Sequence, residues 1–223
     1  MVRARFAEIM EPGRPVVPLD EAALLMSKAI QPHLDLDDWL AALDELAARC
    51  PAPTPEGVAR HLFDDEHFAG NRRAYYDWRN SCLDRVIASR TGIPISLSVL
   101  MIEVSKRLGI ELNGVGMPAH FLVRPADDPD VFFDPFDRGR RLDRHAARLL
   151  FEQVTGGQVA WNERYLDPTP NRDIVVRMLN NLKSVFAGRD AVRLAIVMDL
   201  RSAVPELAEL ESAEIASTSA IFN

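Results

Sequence analysis

The sequence predicts an α+β protein: a helical N-terminal part, a central core with a short antiparallel sheet, and a C-terminal helical hairpin. Three observations carry this. Apolar residues recur at helical spacing up to Gly109 and again beyond Arg144. Between Leu112 and Asp134 they fall instead into short β-type runs, split by Gly116-Met117-Pro118 and by the turn-rich stretch Pro125 to Asp130. Near the end, Gly188-Arg189-Asp190 separates two apolar helical stretches so closely that they must fold back antiparallel. The expected division is 1–63, an N-terminal helical region; 64–168, the core; 169–210, the hairpin; and 211–223, a tail of small and polar residues expected to be disordered.

The elements follow in order. Residues 1–18, rich in Arg and Pro, are expected to be extended or frayed. Asp20 is placed to cap a helix carrying Leu24, Leu25 and Ile30, which Pro32 interrupts. Leu40, Leu43, Leu46 and Ala47 continue at helical spacing from Asp37 or Asp38. Pro51, Pro53 and Pro55 make a stiff turn, and Thr54-Pro55-Glu56 opens a short helix through Leu62 and Phe63. Asp64 to Arg79, with Phe68, Tyr75, Tyr76 and Trp78, is expected to be an irregular loop packed on the core. Leu83, Val86 and Ile87 predict a helix ending near Thr91-Gly92. After the break at Ile93-Pro94, Leu97, Leu100, Met101, Val104 and Leu108 share one helical face that Gly109 stops.

Strands are expected at Leu112–Val115, at His120–Arg124 and at Val131–Phe133, the last ending at Asp134-Pro135. Helix returns from Arg144 to Thr155, where Gly156-Gly157 stops it. Beyond Pro168 the chain reads as a different unit. Val175, Met178, Leu179, Leu182 and Val185 share one face of its first helix, and Leu194, Ala195, Val197, Met198 and Leu200 lie on its second.

Composition narrows the functional classes. The chain has 223 residues, 48% hydrophobic and 26% charged, with net charge −7. A nucleic-acid partner is not expected, because phosphate binding needs clustered cations. The local run Arg138, Arg140, Arg141, Arg144 and Arg148 is explained by a solvated helix face or loop. No apolar run reaches the roughly 18–20 residues of a membrane span, and Met1 to Pro18 has no apolar centre like that of a signal peptide, so a cytoplasmic location is expected. Cys50 and Cys82 lack metal-type spacing, and His33, His61, His67, His120 and His145 form no H-E-x-x-H pattern. No metal and no cofactor is expected.

His120, beside the Gly116-Met117-Pro118 turn, has the chemistry of a general base toward a thiol or hydroxyl, with a carboxylate on its other ring nitrogen to orient it. Asp134 is a fitting partner, at the end of a strand able to lie antiparallel to that of His120. Packing of the histidine and a strand-ending turn at the aspartate account for the same residues without catalysis.

The run Asn80-Ser81-Cys82-Leu83, then Arg90-Thr91-Gly92-Ile93-Pro94-Ile95-Ser96-Leu97, Arg107-Leu108-Gly109-Ile110, Pro118-Ala119-His120-Phe121-Leu122-Val123-Arg124 and Phe133-Asp134-Pro135-Phe136 resembles the SirB1 family of the transglutaminase-like superfamily. The resemblance covers roughly residues 60–140 and implies a papain/transglutaminase-like core. Arg177-Met178-Leu179-Asn180-Asn181-Leu182-Lys183 resembles the tetratricopeptide-like helices that follow this core in the family. A stable array normally needs about three repeats, so one hairpin is expected to lean on the core or on a partner.

In active members of the superfamily a cysteine starts the helix before the histidine strand, where the helix N-terminus favours the thiolate. Carried over, His120 is the histidine and Asp134 the aspartate, but the cysteine falls near Pro94 or at Ile95, neither a nucleophile. Two residues are candidates to replace it. Ser96 is one, although serine there also serves as a helix cap. Cys82 is the other, although a buried thiol is an ordinary core filler. Asn80, Cys82, Pro94 and Tyr76 are expected to line the cleft, and Asn80 alternatively to cap the next helix. The implied function is a protein- or peptide-binding module without the usual cysteine. The alternative is a hydrolase or acyl-transferase on amide or ester bonds, using His120 and Asp134 with Ser96 or Cys82.

Overall fold

A computed structural model describes residues 1–14 and 16–211. The apolar stripes of the first part become helices α1 (Val2–Ile9), α2 (Leu19–Ile30), α3 (Leu36–Ala48) and α4 (Pro55–Arg60). The expectation of an extended start is corrected by α1. Phe6 and Ile9 are fully buried, and Arg5 grips Glu21 of α2 with two hydrogen bonds of 2.6 and 2.9 Å. The cap of α2 is also corrected: Pro18 occupies the cap position, and Asp20 lies in the first turn. There its carboxylate receives the guanidinium of Arg107. Asp35 caps α3, and Thr54 caps α4 by accepting the Gly57 N–H at 3.0 Å.

The aromatic stretch after α4 contains more order than a loop. It holds strand β1 (Ala69–Gly70) and a 3₁₀ turn over Trp78–Ser81. Helix α5 (Leu83–Ser89) ends one residue before Arg90, which takes the left-handed conformation, so the stop precedes the glycine. Strand β2 (Thr91–Gly92) then runs parallel to β1. Helix α6 (Pro94–Arg107) is buried almost throughout, with Leu97, Leu100, Met101 and Val104 fully enclosed. It packs on α3, α4 and α2 on one side and on the main sheet on the other.

That sheet has four antiparallel strands in the order β3 (Leu112–Val115), β4 (Leu122–Pro125), β5 (Phe132–Asp134) and β6 (Arg140–Leu142). Strand β6 was not expected. Strand β4 begins at Leu122, so His120 stands in the connection before it rather than in a strand. Alternation along the strands divides the two faces. Leu112, Val123 and Phe133 enter the main core beneath α6. Val115, Leu122, Phe132 and Leu142 meet Ala147, Leu150 and Phe151 of α7 (Arg144–Thr155) in a second core. The basic run lies on exposed positions of β6, α7 and the turn before them.

Helices α8 (Asn171–Phe186) and α9 (Ala191–Arg201) form the expected hairpin. Ile174, Met178, Leu182, Val197 and Leu200 share one apolar cluster with Phe6, Leu24, Leu97 and Phe121. The stretches 1–63, 64–168 and 169–210 thus meet in a common core. Residues 205–211 are helical, and Glu211 pairs with Arg201, in place of the disorder expected from 211 onward. The remainder of that tail, 212–223, lies outside the described residues. Among the described residues no helix is long and apolar enough to cross a membrane.

Candidate functional site

Backbone geometry and one arginine place His120. The chain leaves β3 through Gly116-Met117-Pro118, and Ala119 adopts φ +61° to turn back toward β4. Arg177 of α8 fastens this turn. Its Nη2 donates to the carbonyls of Met117 at 2.7 Å and His120 at 2.8 Å, and the guanidinium lies 5.4 Å from the centre of the Phe121 ring.

Asp134 ends β5. Its Oδ1 accepts the N–H groups of Phe136 at 3.0 Å and Asp137 at 3.3 Å, capping the 3₁₀ turn Pro135–Asp137. The same oxygen meets His120 Nε2 at 3.0 Å. Both side chains are buried, His120 5% and Asp134 1% exposed. Since the carboxylate acts here as an acceptor, neutral His120 carries its proton on Nε2 and keeps the lone pair on Nδ1. The Phe136 ring and the imidazole stand nearly perpendicular with centres 6.1 Å apart, and Tyr75 and Phe136 do the same at 5.9 Å.

Two cavities adjoin the imidazole, of about 110 and about 420 Å³, and both are lined by Tyr75, Pro94, Ala119 and His120. The smaller continues to Ile95, Arg177 and Asn181, the larger to Asp134, Arg72, Asp137 and Arg140. Burial raises the pKa of the Tyr75 phenol between them. Among the described residues no group of three or more His, Cys, Asp and Glu side chains gathers as a metal site.

Of the residues expected in the cleft, Pro94 is there, as the first residue of α6. The others stand elsewhere. Ser96 is fully buried; its hydroxyl lies 2.6 Å from the Asn80 carbonyl, to which it donates, and accepts the Ile93 N–H at 3.1 Å. It lines neither cavity and closes the first turn of α6 from inside, at the third helical position rather than at the cap. Cys82 is 1% exposed, and burial, with the charge of Asp84, pushes its thiol pKa upward, away from the thiolate. Asn80 neither caps α5 nor faces the cleft. Its amide donates to the carbonyls of Ala74 at 2.7 Å and Tyr75 at 3.2 Å and its oxygen accepts from Asn71 at 3.0 Å, so it braces the loop from beneath. Tyr76 is 68% exposed, and its neighbour Tyr75 takes the cleft position.

Sequence reasoning placed the loop of Tyr75 at the cleft by analogy but singled out Tyr76, and it missed Phe136, Arg177 and Asn181 as parts of the site. Arg177 carried one signal, a charge wedged between Ile174 and Met178 on a helix with an apolar face.

Comparison with known proteins decides the family. A family profile described as the transglutaminase-like superfamily matches residues 33–180. The chain belongs to the transglutaminase-like superfamily. Within it, the chain is 39% identical over 187 residues to a UPF0162 protein of Xylella fastidiosa, covering 78% of this chain and 66% of that protein. It is 30% identical over 189 residues to a UPF0162 protein of Vibrio cholerae, covering 80% and 70%. These likenesses place it with the UPF0162 proteins. The chain spans about two thirds of the length of the curated relatives it matches first. A shorter likeness, 37% over 104 residues, joins 42% of this transglutaminase-like chain to 17% of F-box only protein 21 of Mus musculus. No solved structure matches the chain.

Proposed function

We propose that this chain is a transglutaminase-like module of the SirB1 type that binds a protein or peptide segment across His120 without forming a covalent intermediate. The observation that supports it is Pro94. It starts α6 and lines both cavities beside the imidazole, where the superfamily resemblance places the thiol. Neither substitute has the access a nucleophile needs: the Ser96 hydroxyl is enclosed in backbone hydrogen bonds, and the Cys82 thiol is buried and kept protonated. The hairpin, tetratricopeptide-like by its resemblance, supplies Arg177 and Asn181 to the cleft wall instead of standing apart. A cytoplasmic location belongs to the same proposal, and the two free cysteines, Cys50 and Cys82, suit a reducing compartment.

A second reading is favoured by the intact His120–Asp134 pair: a hydrolase or acyl-transferase on amide or ester bonds. In that reading Nδ1 of His120 takes the proton from an attacking water or acceptor, with Asp134 holding the ring. One experiment separates the two. The protein is treated with thiol- and serine-directed acyl probes and with an activated ester. Binding without labelling or turnover is the expected result. Labelling or turnover that disappears in a folded His120→Ala variant overturns the binding reading in favour of the enzyme.

A further inference from the structure

Arg177 is a partly buried cation without a counter-charge among the described residues. Several other arginines drawn into this fold meet carboxylates: Arg107 binds Asp20 at 2.9 Å and Glu103 at 3.2 Å, Arg172 binds Glu206 at 2.8 Å, and Arg201 binds Glu211. Among the described residues Arg177 meets the two carbonyls on its Nη2 and the face of Phe121. Among the described residues no carboxylate forms an ion pair with it, and none lines the smaller cavity that it faces. Burial accordingly lowers its pKa, with the Tyr75 phenol nearby opposing the shift. An unpaired charge held from water is costly, and a guanidinium has five N–H donors, more than two carbonyls absorb at one nitrogen.

The surroundings point to what completes it. Asn181 is one turn further along α8, on the same side of the helix, and lines the same cavity. Tyr75 also lines it, as do Ile93 and the apolar start of α6, Pro94 and Ile95. A cavity of about 110 Å³ takes the end of a chain or one short side chain, not a folded segment. It shares Tyr75, Pro94, Ala119 and His120 with the adjoining larger cavity of about 420 Å³.

We infer that the smaller cavity is a carboxylate subsite, in which Arg177 and Asn181 hold the carboxylate of a peptide whose preceding residues run across His120 into the larger cavity. A carboxylate supplies the counter-charge and accepts charge-assisted hydrogen bonds from the guanidinium N–H groups that the two carbonyls on Nη2 leave free. The carboxylate is either a free C-terminus or an Asp or Glu side chain. This inference rests on the reading of the cleft as a peptide site.

The test uses the full chain and three sets of short fluorescent peptides. One is neutral and amidated, one is the same with a free C-terminus, and one is amidated with a single Asp or Glu. Anisotropy is expected to show one of the two carboxylate sets binding about tenfold or more tighter than the neutral set. The set that does so identifies the source of the carboxylate. Arg177→Gln is expected to bring that ratio to about one. Because Arg177 also holds the turn before His120, Asn181→Asp serves as a second variant: it sets a negative charge in the cavity without touching that turn, and is likewise expected to abolish the preference. Equal binding of all three sets, or a preference that survives both substitutions, overturns the subsite while leaving the peptide groove standing. No binding by any set overturns both.

Discussion

Asp134→Ala separates the structural task of the His120–Asp134 pair from its chemical one. Asp134 Oδ1 accepts three hydrogen bonds: Phe136 N–H at 3.0 Å, Asp137 N–H at 3.3 Å and His120 Nε2–H at 3.0 Å. Truncation leaves the buried Phe136 N–H without an acceptor, at a cost of about 1–3 kcal/mol. The Asp137 N–H is only partly buried and the imidazole borders a cavity, so each adds a smaller amount. The sum is about 3 kcal/mol. For a chain of 223 residues that lowers Tm by roughly 6–12 °C. Asp134→Asn keeps an oxygen in place and is expected to lose about 1 kcal/mol. His120→Ala breaks one of the three bonds and leaves the cap of the turn intact, again about 1 kcal/mol. Urea unfolding at constant m measures all three. A loss below about 1 kcal/mol for Asp134→Ala, or a loss in His120→Ala as large as in Asp134→Ala, refutes the claim that the cap on Phe136 and Asp137 is the main structural task of this carboxylate.

Three further predictions test other parts of the fold. A Cβ at Gly70 would stand 2.4 Å from Phe136 Cδ2 and 2.5 Å from its carbonyl oxygen, so Gly70→Ala must push β1 away from the turn that carries the cleft wall. A stability loss of about 1–3 kcal/mol is expected, and unchanged urea unfolding contradicts it. Burial and the neighbouring charge of Asp20 push Glu103 up from 4.5 to about 7, against the pull of Lys106 and Arg107. The folded state therefore binds the extra proton between these values, and this group's contribution to stability, full at low pH, is lost as pH rises through about 7. Glu103→Gln should flatten the fall in stability from pH 4.5 to 8 by up to about 3 kcal/mol; an identical pH profile in the variant refutes this. Finally, native Cys82 should resist alkylation at pH 8 and react only after unfolding, as mass spectrometry of peptides would record; fast native labelling at Cys82 contradicts its burial.

What the amino-acid order determined on its own was whatever depends on near neighbours. The stripes of α2, α6 and α8, the stop at Gly156 and the tight turn before Asp190 were legible because helix periodicity and capping act within a few residues. The joined motifs around Pro94, His120 and Asp134 marked the centre of the candidate site, where the superfamily resemblance places a thiol and this chain has Pro94. The same logic failed where a short element is stabilised from afar. α1 is fastened by Glu21 and by the core around Phe6, and β6 carries one buried residue, Leu142, after two exposed arginines. Neither has enough local pattern to declare itself.

Side-chain direction was decided only by the tertiary structure. Tyr75 and Tyr76 are adjacent and alike, and the brace of Asn80 against the Ala74 and Tyr75 carbonyls accompanies the path that turns Tyr75 inward. Ser96 had two local roles open to it, until the carbonyl of Asn80, distant in sequence, closed over its hydroxyl. Arg177 reads in sequence as a charge on a helix like any other. That no carboxylate among the described residues meets it, and that it lines a cavity beside His120, follows from how α8 packs against the turn at Met117 and His120. A charge–charge vacancy is a property of three-dimensional neighbourhood, because electrostatic pairing depends on distance in space and not on separation along the chain.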